Sequence, residues 1–110
     1  EDRLSALLDW ETAAIGNPAQ DLGYVRALML QLCEWSEFMA AYVDAGGPVI
    51  DQVQVDYYEL WGYTWVNTMV MQARAAFETG MVDEIRAGFA GTYLVARTEA
   101  RLRDKLYELI

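Results

Sequence analysis

Residues 7–24 read LLDWETAAIGNPAQDLGY, and this stretch decides how the first part of the chain folds. The apolar run at residues 4–9 has the length of one buried strand rather than of a helix. A glycine-containing loop follows this run. Asn17 is a preferred helix N-cap, and Pro18 suits the first helical position, because its missing N–H has no partner to lose there. A helix is therefore predicted over residues 18–33, directly after a strand and a loop.

The remainder of the chain predicts helices separated by glycine-rich breaks. The expected helices cover residues 36–45, 52–79 and 92–109, with a short turn at 83–87. Asp51 can cap the long helix, and Gly80 can end it. Apolar and aromatic residues surround most of the long helix, so Trp65 and Met69 are predicted to be largely buried. The predicted fold class is mainly α, with one short N-terminal strand.

Composition limits the function classes. The 110 residues are 55% apolar, which fits one folded domain over residues 1–110 and excludes an intrinsically disordered chain. The formal charge is −9, and residues 1–60 carry all of it. No nucleic-acid or anionic-membrane partner is expected, because both need clusters of Lys and Arg. Most charged side chains, including Asp56, Glu59 and Lys105, are interpreted as solvent-facing.

The chain contains no histidine and only one cysteine, Cys33. The first fact excludes Ser-His-Asp and Cys-His catalysis and most zinc sites. The second excludes an internal disulfide and favours a reducing, cytoplasmic location. The longest stretch without a charge, residues 60–73, is too short to span a membrane, and the opening Glu-Asp-Arg does not resemble a signal peptide.

Asp9 follows the predicted strand and precedes the loop, so the strand can hold its carboxylate in a fixed position. A carboxylate suits Mg²⁺, which binds one or two protein oxygens and keeps water or phosphate as its other ligands. Many strands end in Asp only because Asp favours turns. On this residue alone, a metal site and a turn remain open as alternatives.

The wider pattern resembles the signature of the aminoglycoside phosphotransferase and choline kinase family, which is related to the protein kinases. That signature is an apolar strand, Asp-Trp-Glu, several residues, Gly-Asp-Pro, two residues and Asp-Leu. The matching positions, all at the family's spacing, are Asp9, Trp10, Glu11, Gly16, Pro18, Asp21 and Leu22. Asn17 departs from the family's usual Asp, and Asn caps a helix about as well. The resemblance implies a kinase-like fold, of which this chain is the C-terminal helical lobe.

The resemblance also implies roles for individual residues. Asp9 corresponds to the kinase Asp that holds Mg²⁺ against the phosphates of ATP or GTP, and it is the one metal ligand expected here. Asp21 corresponds to a structural Asp that accepts hydrogen bonds from the backbone of the catalytic loop, although the helix dipole alone also favours an acid there. Glu11 is a candidate for the second shell of the metal or for substrate binding, with a plain surface role as the alternative.

The family's catalytic loop, of His-x-Asp-x-x-x-x-Asn type, and its nucleotide-binding lobe are both absent from residues 1–110. The chain is therefore expected to be a fragment of an ATP- and Mg²⁺-dependent phosphotransferase and to be inactive by itself, with no catalytic residue of its own. The alternative is a non-catalytic helical module for binding or dimerisation. A homodimer through exposed apolar surface is expected, with Leu4, Leu7 and Leu8 contributing.

Three polar residues on the long helix, Thr64, Asn67 and Thr68, are candidates for an acceptor-substrate pocket, because the family builds that pocket from helices after the motif. Hydrogen bonding between helices is the alternative. The implied acceptor is a small molecule with a hydroxyl group. An amine-bearing, cationic acceptor would suit the acidic first half and the aromatic residues of the long helix.

Overall fold

The computed structural model describes residues 5–6, 8, 10 and 13–110. Most of these residues are helical, and no strand occurs among them, which confirms the mainly α fold. A π-helical turn, Ala90–Leu94, connects the fourth helix to the fifth. The α-helices are α1 (Ala19–Met29), α2 (Trp35–Asp44), α3 (Gln52–Glu78), α4 (Ile85–Phe89) and α5 (Val95–Leu109).

The predicted strand at residues 4–9 falls largely outside the described residues. Leu4, Leu7 and Asp9 are not among them. Ser5, Ala6 and Leu8 are described and have no regular secondary structure. The strand itself therefore stays a prediction.

The predicted helix boundaries follow the capping residues. The side chain of Asp51 accepts a hydrogen bond from the amide of Val53 at 3.0 Å, so α3 begins where it was expected. Gly80 ends α3 with a φ of +71°, a conformation that glycine adopts without strain. The first helix ends four residues earlier than predicted, at Met29. The last α-helix begins at Val95 rather than at residue 92, because the π-helical turn precedes it.

The central helix is α3, which packs against α1 on one side and against α4, the π-helical turn and α5 on another. Glycines allow the closest approaches. A Cβ built on Gly23 would lie 2.5 Å from the backbone nitrogen of Glu59, and one built on Gly91 would lie 2.6 Å from the Cα of Arg74. Both glycines are buried. The backbones of α1 and of the π-helical turn therefore lie directly against α3.

The expected burial of the long helix is wrong on its outer side. Trp65 is 39% exposed and Met69 is 48% exposed. The other helices leave part of the surface of α3 uncovered, whereas Val55 and Val70 of α3 and Ala19 and Leu22 of α1 are buried. Some aromatic residues of α3 therefore face the neighbouring helices, and others lie on the side of α3 that no helix of the described part covers.

Candidate functional site

Asn17 connects the loop to two helices. Its Oδ1 accepts a hydrogen bond from the amide of Ala19 at 2.9 Å, which satisfies one of the free N–H groups at the start of α1. Its Nδ2 donates a hydrogen bond to Oε1 of Gln54 on α3 at 3.0 Å. The departure from the family's usual Asp therefore keeps the cap and adds a donor that Asp lacks.

Asp21 lies in the first turn of α1, and its side chain is exposed. It lines a groove of about 570 Å³ together with Leu8, Trp10, Gln20 and the loop at residues 13–18, called the loop groove below. The Asp21 carboxylate makes no ion pair or hydrogen bond within the part of the chain that the structure describes. It is available to accept hydrogen bonds from another segment or from a ligand.

Asp9 and Glu11, the expected metal ligand and its neighbour, lie outside the described residues. Within residues 5–6, 8, 10 and 13–110, no three Asp, Glu, Cys or His side chains gather closely enough to hold a metal ion. The metal-binding role of Asp9 stays a prediction.

The three candidate pocket residues of α3 lie within about one helical turn of each other but differ in burial and in hydrogen-bond partners. Thr64 and Thr68 are exposed, and each hydroxyl donates to the backbone carbonyl four residues earlier, at 2.9 Å. Asn67 is half-buried and accepts a hydrogen bond at 2.7 Å from the hydroxyl of Thr98 on α5. Asn67 therefore connects two helices, whereas Thr64 and Thr68 are exposed to solvent.

Aromatic rings cover the outer side of α3 next to α1. Trp61 and Trp65 are stacked, with ring centres 6.2 Å apart and planes at 10°. The ring of Tyr24, from α1, meets Trp65 edge-on at 6.3 Å, and Tyr58 meets Trp61 in the same manner at 6.5 Å. These four residues are called the aromatic ladder below. Tyr24 lies one helical turn after Asp21, so the ladder begins close to the loop groove.

Four charged side chains, Arg26, Asp56, Glu59 and Lys105, form a partly buried cluster between α1, α3 and α5, called the charge cluster below. Lys105 Nζ lies 2.8 Å from both Asp56 Oδ1 and Glu59 Oε2. Arg26 contacts the same two acids and lies over the ring of Trp35 at 5.3 Å. The interpretation of Asp56, Glu59 and Lys105 as solvent-facing is therefore wrong.

A sequence signal for this cluster exists. Lys105 lies three residues after Leu102 and four before Leu109, in the apolar stripe of α5, so its side chain is directed toward α3. Asp56 and Glu59, three residues apart, share one face of α3 and meet it there. A cation within an apolar stripe opposite a pair of acids indicates an internal ion pair, and sequence reasoning missed it.

The charge cluster changes the pKa values of its members. Burial by itself would raise the pKa of Asp56, but hydrogen bonds from Lys105, Arg26 and Gln52 outweigh burial and lower it. Burial would lower the pKa of Lys105, but hydrogen bonds to Asp56 and Glu59 raise it. Burial and the neighbouring carboxylate of Glu59 raise the pKa of Tyr63, whose hydroxyl donates to Glu59 at 3.1 Å. The shifts of Asp56 and Lys105 favour the charged forms that make the ion pairs, and the shift of Tyr63 favours the neutral hydroxyl that donates to Glu59.

Comparisons with known proteins agree with the resemblance of the opening motif. The chain matches the model of the phosphotransferase enzyme family over residues 1–60, which is more than half of its length and includes the whole motif. Searches of curated proteins and of solved structures returned no significant match. None of the helices in the described part is long and apolar enough to cross a membrane. The family match confirms the expected relationship to aminoglycoside phosphotransferases and choline kinases, and the chain belongs to the phosphotransferase enzyme family.

Proposed function

We propose that these residues form part of an ATP-dependent phosphotransferase that transfers the γ-phosphoryl group to a hydroxyl of a small acceptor in the presence of Mg²⁺. The observation that carries the proposal is the family match over residues 1–60, a range that includes Asp9 and Asp21. The catalytic loop and the nucleotide-binding lobe lie outside residues 1–110 in this proposal, and the chain contributes the segment that follows them.

The donor chemistry of the motif fits Mg²⁺. A chain without histidine offers hard oxygen ligands, and Asp9 is the carboxylate at the metal-binding position of the motif. One protein carboxylate suffices for Mg²⁺ when nucleotide phosphates and water supply the other ligands. When bound, the metal ion neutralises negative charge on the transferred phosphoryl group.

Asp21 acts as a positioning residue in this proposal. Its carboxylate lies at the start of α1 beside the loop groove and is unengaged within the described part of the chain. An acid there can accept backbone N–H groups of the catalytic loop, as the family pattern implies. The rigid end of a helix, held by Asn17 below it, provides the fixed support that such a contact needs.

The aromatic ladder and the outward hydroxyls of Thr64 and Thr68 support an acceptor site on the outer side of α3. A cationic amine gains energy when it lies over a tryptophan face, and the ring planes of a sugar stack well on the same surface. The net charge of −9 in residues 1–60 attracts cations to this part of the molecule. We therefore propose an amine-bearing hydroxyl compound as the acceptor.

The decisive experiment measures phosphoryl transfer by the complete protein that contains these residues. Asp9→Asn should lower kcat by at least about 100-fold, since an electrostatic contact made in the transition state is lost. Asp83→Asn removes an equal charge from an exposed position between α3 and α4 and should leave the rate unchanged. The 110-residue chain alone should show no turnover. Near-normal activity of the Asp9→Asn protein would refute the metal assignment.

The exposed rings of α3 also favour a second candidate, a non-catalytic helical module that dimerises. Tyr57 is 61% exposed and Leu8 is 84% exposed, so apolar surface is open to a second copy. Light scattering of the 110-residue chain over a hundredfold concentration range separates the two candidates. A dimer together with an inactive complete protein would favour the module, whereas a monomer together with an active complete protein would favour the enzyme.

A further inference from the structure

A second groove, called the helix groove below, lies between α1, α3 and α5 and is separate from the loop groove. Its volume is about 320 Å³, at the small end of the range for small-molecule sites. Gly23 and Gly62 open it where α1 and α3 cross. Its walls are mostly apolar, and they include Leu28, Val66 and Leu94. The groove can therefore accept one ring system or a short aliphatic chain.

Two arginines on α5, Arg97 and Arg101, line the helix groove and are both exposed. They lie four residues apart, one helical turn, so the two guanidinium groups are on the same face. Neither makes an ion pair within the described part of the chain, whereas Arg26, Arg74 and Arg103 each contact a carboxylate. The groove thus has two uncompensated cations in a chain that carries a net charge of −9.

Glu59, the one acidic residue among the described residues that line the helix groove, does not cancel this charge. Its Oε2 is paired with Lys105 at 2.8 Å and with Arg26 at 3.1 Å, and its Oε1 accepts the hydroxyl of Tyr63. Glu59 is also only 7% exposed. Because its carboxylate is already occupied, the groove is apolar in its body and positive at the α5 side.

We propose that the helix groove binds a small amphipathic anion, with an apolar ring or chain between the helices and one carboxylate or phosphate on Arg97 and Arg101. A guanidinium group binds these anions with two parallel hydrogen bonds, and two guanidiniums one turn apart can hold one anionic group together. Burial of the apolar part supplies the remaining affinity. The proposal does not depend on the proposed phosphotransferase activity, because it uses neither Asp9 nor Asp21.

The test is an amide NMR titration of the 110-residue chain with 2-naphthoate and with its neutral analogue, 2-naphthamide. The chain has eight glycines, and only Gly23 and Gly62 line the helix groove, so their amide signals report on it and the other six serve as internal controls. Naphthoate should shift these two signals at concentrations at least about tenfold lower than naphthamide, as the loss of one charge-assisted contact predicts.

Variants then assign the anionic contact. Arg97→Gln and Arg101→Gln should each weaken naphthoate about tenfold and leave naphthamide unchanged. Arg86→Gln makes the same charge change at an exposed position on α4 and should change neither. Circular dichroism confirms that the variants keep their helices, because all three arginines are exposed. Equal affinity for the two probes, shifts outside the groove, or equal loss in the Arg86→Gln control would each overturn the proposal.

Discussion

The ammonium group of Lys105 lies 2.8 Å from Oε2 of Glu59, and the two side chains are only 6% and 8% exposed. This pair joins the last helix to the central one, 46 positions apart in the sequence. Arg26 joins α1 to the same carboxylate at 3.1 Å. Three helices with a small apolar core therefore depend on one cluster of opposite charges for their relative positions.

Removing the lysine charge should destabilise the fold. Lys105→Met keeps the aliphatic stem but leaves Asp56 and Glu59 with Arg26 as the one remaining cation in contact with them among the described residues. Breaking a buried ion pair by removing one partner costs about 3 kcal/mol or more. The free energy of unfolding, measured by urea denaturation, should fall by about that amount.

The matched control for the lysine variant is an exposed ion pair. Arg74 Nε lies 2.8 Å from Glu78 Oε1 along α3, and both side chains are at least half exposed. Glu78→Gln should change the free energy of unfolding by about 0.5 kcal/mol or less. Equal effects of Lys105→Met and Glu78→Gln would mean that the charge cluster contributes no more than a surface pair.

The shifted pKa values of Asp56 and Lys105 predict how the stability of the fold depends on pH. Because the pKa of Asp56 is lower in the folded chain than its ordinary value of 3.8, its contribution is present above that pH and is lost as the pH falls through the lowered pKa. Because the pKa of Lys105 is raised above 10.5, its contribution is present below that pH and is lost as the pH rises through the raised pKa.

Thermal unfolding followed by circular dichroism from pH 2 to pH 12 measures the loss of stability at both the acidic and the alkaline end of this range. Asp56→Asn should flatten the acidic side of the profile, and Lys105→Met should flatten the alkaline side. Asp44→Asn, which changes an exposed acid at the end of α2, serves as the control. If Asp56→Asn lost stability at low pH as the unchanged protein does, Asp56 would not be the group responsible for that loss.

Two glycines at one helix crossing should respond differently to alanine. A Cβ at Gly23 would meet the backbone of Glu59 at 2.5 Å, so Gly23→Ala must push α1 away from α3. Such overpacking costs about 1–3 kcal/mol. The nearest atom to a Cβ at Gly62 is Cδ2 of Tyr24 at 3.5 Å, an ordinary contact. Gly62→Ala should therefore be neutral or stabilising, since alanine is the better helix former by about 1 kcal/mol. Urea denaturation of both variants tests the difference, and a reversed order would contradict this packing.

Local signals predicted much of this fold from sequence. Asp51 caps an amide two residues away, and Gly80 ends α3 through its own backbone conformation. Because both effects are local, the limits of α3 could be predicted almost to the residue. The opening motif identified the family for the same reason, because its information lies in residue types at short, fixed spacing.

Two features depended on tertiary contacts and were therefore missed. Burial around α3 was overestimated, because periodicity shows which residues are apolar but not how many helices arrive to cover them. The partnership of Lys105 with Asp56 spans 49 positions, and charge alone made both residues look solvent-facing. The sequence left a pocket role and helix pairing open for Asn67, because its hydrogen-bond partner Thr98 lies 31 positions away on another helix.

Asn17, which stands where the family usually has Asp, can be tested through its cap at the start of α1. Asn17→Ala loses the acceptor for the amide of Ala19 and should destabilise the chain by about 1 kcal/mol. Asn17→Asp, which restores the family's usual residue, keeps that acceptor and loses only the donor to Gln54. It should cost a few tenths of a kcal/mol at most, since the lost bond is exposed. An equal loss for Asp and for Ala would show that the contact with Gln54, which both variants lose, matters rather than the cap, which only Ala removes.

The aromatic ladder gives the sharpest test of the proposed acceptor site. Trp61 is 38% exposed and is stacked on Trp65, so an amine that lies on the ladder should contact its face. In the complete protein, Trp61→Ala should raise KM for a cationic acceptor about tenfold, as the loss of a partly desolvated cation–π contact predicts. KM for ATP should not change, because the proposed function places the nucleotide against other parts of the protein. Phe77→Ala is the control, because Phe77 is 39% exposed on the same helix but outside the ladder. If both variants change acceptor KM equally, or if KM for ATP rises with it, the rings of the ladder do not form the acceptor site.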